Sequence, residues 1–422
     1  MTINLQNMHR RKQYYKEYKE RKKRMNILVF THYFFPEQFR VNTLCKALSK
    51  MGHKVTVLTG YPQYPQGKIY DGFGFGIPYE KEWNGVAIER IKVFPRGKTP
   101  LGLLNNCMSF VLEGKRWVRN CTTRFDVVFV FGVSPVTVGL PAVAYKKKFN
   151  TPLFFNAQDL WPDNVEAILG IHNKAILWVL NRVVDKIYLN SDKILCSSRS
   201  FVKRIAHRGI NSDKLVYWPQ FCEKPVFSQT EKPREYNSEF FNIVFAGNLG
   251  EAQGLELLTD AAALLKDEKI RFYLVGDGRA KKKLIKIVKE KGLSDTIFFL
   301  GRKSEQEANL YVHYADCSYL SFKDRMIFDM TIPAKLQTYL ACGSPILAAV
   351  SGESADIITT AQCGIISEIN PRSVADSVHE MISLKEQGSA EIMRKNAEEF
   401  FNKEFEGNKL VNNLVCMFKD FL

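Results

Sequence analysis

The chain has no Cys-x-x-Cys pair, no Asp-x-Asp string, no histidine pair at zinc-ligand spacing and no unbroken apolar run long enough to cross a bilayer. Each absence removes a class of function. The nine cysteines stand singly, with no secretion signal ahead of them, which suits thiols kept reduced in a cytosol rather than a disulfide framework. Without Asp-x-Asp there is no carboxylate clamp for a divalent ion on a diphosphate, and without spaced histidines there is no zinc site. We therefore expect no metal and no resident cofactor. The most apolar stretch, from Val127 to Tyr145, is interrupted by Gly132, Ser134, Pro135, Gly139 and Pro141. It reads as a buried strand, a loop and a helix, because a spanning helix needs about twenty continuous apolar residues.

Acidic residues are the other shortage. Lys and Arg number 60 against 44 Asp and Glu, a net charge of +16, which draws the chain toward nucleic acid, anionic lipid or phosphorylated small molecules. No surface motif of the usual nucleic-acid modules occurs, so nucleic acid is not an expected partner. Part of the charge lies in residues 1–24, where nine basic side chains from Arg10 to Arg24 face only Glu17 and Glu20. Such a run is a solvated tail or a peripheral contact with anionic membrane. Met25 opens a clean strand, so translation starting there would omit the extension.

At 422 residues the chain exceeds what one core usually serves, and two domains are the default. Short apolar runs alternate with helical patterns, as in parallel sheets covered on both faces. Ile27–Thr31, Val55–Thr59, Asp126–Phe131, Leu153–Asn156 and Lys193–Ser197 read as strands of a first domain, 25–222. The periodicity lapses over 223–240, which marks a linker. A second series begins at Asn242-Ile-Val-Phe-Ala-Gly247 and continues through Phe272–Gly278, Ile297–Leu300, Cys317–Leu320, Pro345–Ala348 and Gly364–Ile366, defining a domain over 241–398. Residues 399–422 read as a closing helix able to pack back on the first domain. The expected fold class is α/β, with two Rossmann-like doubly wound domains facing each other across a cleft, where open sheets bind ligands.

Two clusters carry chemistry. Gly247-Asn248-Leu-Gly250 sits where a strand turns into a helix, so its backbone amides can approach a diphosphate. Farther on, Thr331-Ile-Pro333-Ala-Lys335-Leu-Gln337 opens a short helix that ends before Gly343, with Pro at its start and Gly past its end. Lys335 in the first turn can neutralise phosphate, and Gln337 can bond a ribose hydroxyl.

These two strings together resemble the donor-binding half of GT4-type glycosyltransferases of GT-B fold. The nearest likeness is to bacterial polysaccharide enzymes of the WbuB-like or WcaI-like kind. A first-strand loop, Tyr33-Phe-Phe-Pro36-Glu37-Gln-Phe-Arg40-Val-Asn42, a Gly52–Gly67 segment and Gln158-Asp159-Leu-Trp161-Pro162 belong to the same pattern, which spans nearly everything from Met25 onward. The resemblance implies a retaining, metal-independent transferase in surface polysaccharide biosynthesis. A nucleotide-sugar donor, UDP by family habit, would give its sugar to a lipid-linked or oligosaccharide acceptor at the inner face of the membrane.

It further implies that Asp329 meets donor-sugar hydroxyls and that Asp159 positions the acceptor hydroxyl, while Glu37, Arg40 and Asn42 contact the acceptor. Gly247, Asn248, Gly250, Gln253, Thr331, Pro333, Lys335 and Gln337 would line the donor. Two departures stand out. Asp329 and Gln337 replace the usual pair of glutamates eight apart, and Gln253 stands where relatives often carry a phosphate-binding lysine. Leu101–Val118 mixes apolar and basic residues, as does an interfacial helix or one packed on its own sheet. A non-hydrolysing nucleotide-sugar 2-epimerase of the same fold and a noncatalytic sugar-nucleotide or nucleic-acid binding protein are the rival readings. The sequence is silent on oligomeric state.

Overall fold

The apolar runs become two parallel sheets in a computed structural model that describes residues 24–97, 99–227 and 231–422. The extension 1–24 thus lies outside the described residues, Arg24 excepted. The chain forms two compact units. The first runs to Cys196 and takes in Arg204–Tyr217 and Val411–Leu422, and the second comprises Ser197–Lys203 and Trp218–Leu410.

The first unit holds β1 (Asn26–Phe30), β2 (Lys54–Thr59), β3 (Glu82–Trp83), β4 (Val86–Arg90), β5 (Val127–Gly132), β6 (Leu153–Ala157), β7 (Lys193–Cys196) and β8 (Leu215–Tyr217). Their order is β3-β4-β2-β1-β5-β6-β7-β8, with only β3 antiparallel to its neighbour. All six residues of β5 are buried, as expected of a strand covered on both faces, which has no reason to alternate. The helices are α1 (Arg40–Lys50), α2 (Pro100–Asn120), α3 (Gly139–Phe149), α4 (Asp163–Leu169) and α5 (Lys174–Asn190).

Right-handed crossovers put α1 on one face of the sheet and α2, α3 and α5 on the other. On that second face α2 packs against α3 and α3 against α5. Phe155 points to this layer and meets Tyr188 of α5. Its neighbour Phe154 points the opposite way, where it and Phe129 meet Phe418 edge-on.

Two helices begin in the second unit and finish in the first, α6 (Arg199–Ala206) being the earlier. Its opening amides, of Arg199 and Ser200, donate to the buried Glu353 carboxylate at 2.9 Å each. The second unit's own strands are β9 (Phe241–Ala246), β10 (Ile270–Val275), β11 (Ile297–Gly301), β12 (Cys317–Ser321), β13 (Ile346–Ala349) and β14 (Gly364–Ile366). They are all parallel, in the order β11-β10-β9-β12-β13-β14.

Its helices are α7 (Glu256–Leu264), α8 (Lys281–Glu290), α9 (Glu305–Tyr314), α10 (Met326–Asp329), α11 (Ala334–Ala341), α12 (Gly352–Ala361), α13 (Pro371–Glu386) and α14 (Ser389–Glu404). The other shared helix, α15 (Gly407–Lys419), closes the chain. Phe245, Phe272 and Leu274 from the sheet pack with Leu258, Leu284 and Val378 in the core.

Some elements differ from expectation. Residues 399–422, expected as one closing helix, hold the end of α14 and all of α15, with the break at the buried Phe405. Residues 231–240 of the expected linker belong to the second unit, where Tyr236 is buried and its hydroxyl donates to the Tyr311 carbonyl at 2.7 Å. Strands β3 and β8 went unseen because they are short edge strands, and β4, next to the edge, because its half-exposed residues make no apolar run.

Candidate active site

In the second sheet β9 has β10 on one side and β12 on the other, so the chain reverses its winding there. The carboxyl end of such a switch strand is where open α/β sheets bind ligands. Gly247 follows β9 with φ +143°, a conformation that favours glycine. The turn is held backbone against backbone. A β-carbon on Gly276 would lie 1.9 Å from the Gly247 carbonyl oxygen, and one on Gly278 would lie 2.3 Å from that of Leu249.

The Gly247 amide itself donates to the Val275 carbonyl, and the Leu249 amide to that of Asp277, both at 2.9 Å. The expectation that Gly247 offers its N–H to phosphate is therefore corrected, because that hydrogen completes the bond between strand ends. Among the described residues, the amides of Asn248 and Gly250 have no protein acceptor. Gly250 then leads into a single turn, Glu251–Gln253, closed by the left-handed Gly254.

Helix α11 begins after Pro333, whose extended backbone caps it, and places Lys335 second in its first turn. The lysine reaches back beneath the glycine turn: a β-carbon on Gly247 would come 3.5 Å from Lys335 Cε. The ammonium donates to Gln253 Oε1 and lies 3.9 Å from the centre of the Phe245 ring. Gln253 is fixed in turn by the Ser321 hydroxyl, which donates to its carbonyl at 2.7 Å. Among the described residues no carboxylate pairs with Lys335, and burial pushes its pKa down to about 7. A desolvated cation without a counter-charge, next to open amides, is a place an anion would settle.

Gln337 is not where a ribose contact was expected. At 100° per residue it sits about 200° round the helix from Lys335, wholly buried, and its Nε2 donates to the Gln220 carbonyl at 2.6 Å. That contact explains the amide: a carboxylate there would face the carbonyl with no proton to give. Asp329 is half-buried and accepts from the Ser351 hydroxyl at 2.5 Å through Oδ1. Thr331 turns its hydroxyl onto the Ile327 carbonyl at 2.8 Å, fixing the approach to α11. The structure thus gathers Gly247, Asn248, Gly250, Gln253 and Lys335, and turns Gln337 away. Gly276, Gly278 and Phe245 are the members that sequence reasoning missed. The glycines at the end of Phe272–Gly278 were the available signal.

In the first unit, Glu37 is another correction. Its carboxylate accepts amide bonds from Phe34 at 3.2 Å, Gln63 at 2.8 Å and Tyr64 at 2.7 Å, and only 3% of the residue is exposed. Asn42 donates to the Glu37 carbonyl at 2.6 Å. These two side chains knit the loops after β1 and β2 and are not open to an acceptor. Burial raises the Glu37 pKa, an effect the three amides offset in part.

Arg40, half-buried, opens α1. Asp159 ties the loop after β6 to the loop after β5: Oδ2 accepts from the Ser134 amide and hydroxyl at 2.8 and 2.7 Å, and Oδ1 from Asn164 at 3.0 Å. Nearby, His32 bonds Asn106 Oδ1 at 2.6 Å, and burial lowers its pKa to about 4.

Glu37→Ala would strand three buried amides, and we expect it to cost about 3 kcal/mol or more of stability, read by chemical denaturation. A variant of unchanged stability whose acceptor KM alone rises would restore the substrate contact.

Residues 228–400 match the family model for glycosyl transferases group 1, and residues 39–222 match that for Glycosyltransferase Family 4. The chain belongs to the GT4-type glycosyltransferases. This glycosyltransferase is 25% identical over 343 residues to WcaI of Escherichia coli (strain K12), whose name assigns it to colanic acid biosynthesis. The match covers 76% of this chain and 82% of that protein.

Among solved structures, sucrose-phosphate synthase from Thermosynechococcus elongatus superposes with TM-score 0.71 at 14% identity, over 94% of this chain and 98% of that one. HepE of Anabaena, in complex with UDP, does so with TM-score 0.67 at 13% identity, over 94% and 100%. The fold of this glycosyltransferase is GT-B. Among its described residues no three His, Cys, Asp or Glu side chains converge as metal ligands, and no helix is long and apolar enough to cross a membrane.

Proposed function

We propose that the protein transfers a sugar, with retention of anomeric configuration and without a metal, from a UDP-linked N-acetylhexosamine donor to a lipid-linked acceptor. The reaction serves bacterial surface polysaccharide synthesis at the cytoplasmic face of the membrane. The observation that carries this reading is the half-buried Lys335 ammonium beneath the Gly247–Gly250 turn, which has no carboxylate partner among the described residues. Negative charge grows on the diphosphate as the glycosidic bond breaks. Lys335 and the amides of Asn248 and Gly250 are fixed in place to meet it, so they need no reorganisation in the transition state.

Asp329 is proposed to take a donor-sugar hydroxyl through Oδ2, since Ser351 already holds Oδ1. Asp159, with both oxygens engaged, is a positioning residue that holds the acceptor-side loops. The polysaccharide setting draws on the name of the WcaI relative, and the UDP base on the complexed HepE neighbour.

The test is a thermal-shift screen of UDP, GDP and their sugars, followed by turnover with membrane extract and nuclear magnetic resonance of the product anomer. Stabilisation by UDP, transfer that survives a chelator and an α-linked product from an α-linked donor are expected. Epimerisation of donor without acceptor, or the absence of any nucleotide effect, would reject the assignment.

A further inference from the structure

We propose that the α2-α3-α5 layer of the first unit is a docking surface for anionic phospholipid bilayer, a step that rests on the lipid-linked acceptor of the preceding section. Helix α2 is apolar on two sides. Phe110, Val111 and Val118 are buried, and Gly114 presses on Pro141 so closely that a β-carbon would come 2.8 Å from that ring. The opposite side carries Leu101, Leu104, Met108 and Leu112 at helical spacing, exposed by 67%, 56%, 48% and 60%. Packing within the unit therefore does not account for this second stripe. Helix α5 also exposes apolar side chains, with Ile176, Trp178 and Val179 open in its first two turns.

Topology brings the α2 stripe and the exposed α5 residues to one edge. Each crossover helix runs back from the carboxyl edge of the sheet, so the amino-terminal halves of α2 and α5 lie at the same edge on the same face. Basic residues follow in the carboxyl-terminal halves: Lys115, Arg116 and Arg119 on α2, Lys147 and Lys148 ending α3, and Arg182 and Lys186 on α5, whereas Lys146 is engaged by Asp192 at 2.5 Å. The acidic residues of these three helices are Glu113 and Asp185, near Arg116 at 3.8 Å and Arg208 at 2.7 Å.

A cavity of about 440 Å³ opens between α2 and α3, with Leu112, Val118 and Ala144 contributing apolar walls and Lys115 and Arg119 cationic ones. An apolar band beside a basic band matches acyl chains beside lipid phosphates, the geometry of interfacial helices that sink roughly 5–10 Å into a leaflet.

The experiment is co-sedimentation of the full chain with phosphatidylcholine vesicles, with and without phosphatidylglycerol. We expect binding that requires phosphatidylglycerol and weakens by about tenfold or more in Leu104→Gln/Met108→Gln, and again in Lys115→Gln/Arg119→Gln/Arg182→Gln. Bromolipid should quench fluorescence in the wild type that is missing from Trp178→Phe. Circular dichroism checks that each variant folds. Sedimentation measures binding without turnover, so failed catalysis and failed docking are separate results.

The proposal is overturned if the wild type ignores phosphatidylglycerol or if the helix variants bind unchanged. It also falls if neutralising Arg21, Lys22, Lys23 and Arg24 alone abolishes binding, or if lipid-free protein self-associates through the same stripe.

Discussion

Lys335→Met is expected to weaken UDP binding by about 100-fold or more while raising the melting temperature of the ligand-free protein by about 2 to 6 °C. The two effects share one cause. The ammonium is desolvated, met by one amide oxygen and the ring faces of Phe245 and Phe322 and by no carboxylate among the described residues. An uncompensated buried charge destabilises the fold that holds it, and a methionine of similar volume removes that burden. The same charge is worth a great deal once a diphosphate supplies its partner.

The pH dependence follows with a definite sign. The folded-state pKa is about 7 and the unfolded one is that of ordinary lysine. Below pH 7 both states hold the proton, and the cost to stability is complete. Between the two values the unfolded chain binds the proton that the folded chain has released, so the stability of the ligand-free protein rises with pH. Diphosphate binding restores the charge, so at about pH 8 complex formation should take up close to one proton. Calorimetry in buffers of different ionisation enthalpy measures that uptake. Proton uptake by Lys335→Met equal to that of wild type would show that another group carries the linkage, and unaltered UDP affinity would remove Lys335 from the site.

The second large effect is expected from Gly276→Ala, a residue that need not touch substrate. Its φ of +138° already disfavours any side chain, and the added carbon would sit 1.9 Å from the Gly247 carbonyl oxygen. Backbone rather than a flexible side chain is the obstacle, so β9 and β10 must part at their carboxyl ends. That would break the Gly247–Val275 bond and shift the amides of Asn248 and Gly250 away from the proposed phosphate position. We expect a loss of about 4 kcal/mol or more of stability, with UDP binding no longer measurable. Ala280→Gly, in the same loop, keeps the amide that donates to the Leu249 carbonyl at 3.0 Å; it is a control for general loosening and should keep most affinity. Wild-type UDP affinity in Gly276→Ala would show that the turn tolerates displacement and that the phosphate is held elsewhere.

The sequence announced the parallel sheets because doubly covered strands are written as unbroken apolar runs, as in β5 and β9. It marked the glycine turn because Gly247 and Gly250 stand where a strand ends. Side-chain direction was harder to see. Gln337 and Lys335 are two residues apart and read as neighbours on a donor, yet helical rotation sends them to opposite faces. Glu37 looked like a substrate contact because a carboxylate in a loop after a first strand is otherwise unexplained. Its three amide partners come partly from Gln63 and Tyr64, a long way off in sequence, and no local pattern discloses them. The exposed stripe of α2 was visible as a mixture of leucines and bases, but only the buried Phe110 and Gly114 show that packing within the unit leaves those leucines uncovered.

The route of the chain limits how this enzyme can be taken apart or rebuilt. It passes between the units after Cys196, Lys203, Tyr217 and Leu410. A fragment stopping at Tyr217 would forfeit Phe418 and its ring contacts with Phe129 and Phe154. One starting at Trp218 would lose the amides that satisfy Glu353. A chimaera that borrows the donor half from a relative therefore needs four junctions: the graft must bring its own counterpart of 197–203 and leave the host's 411–422 in place.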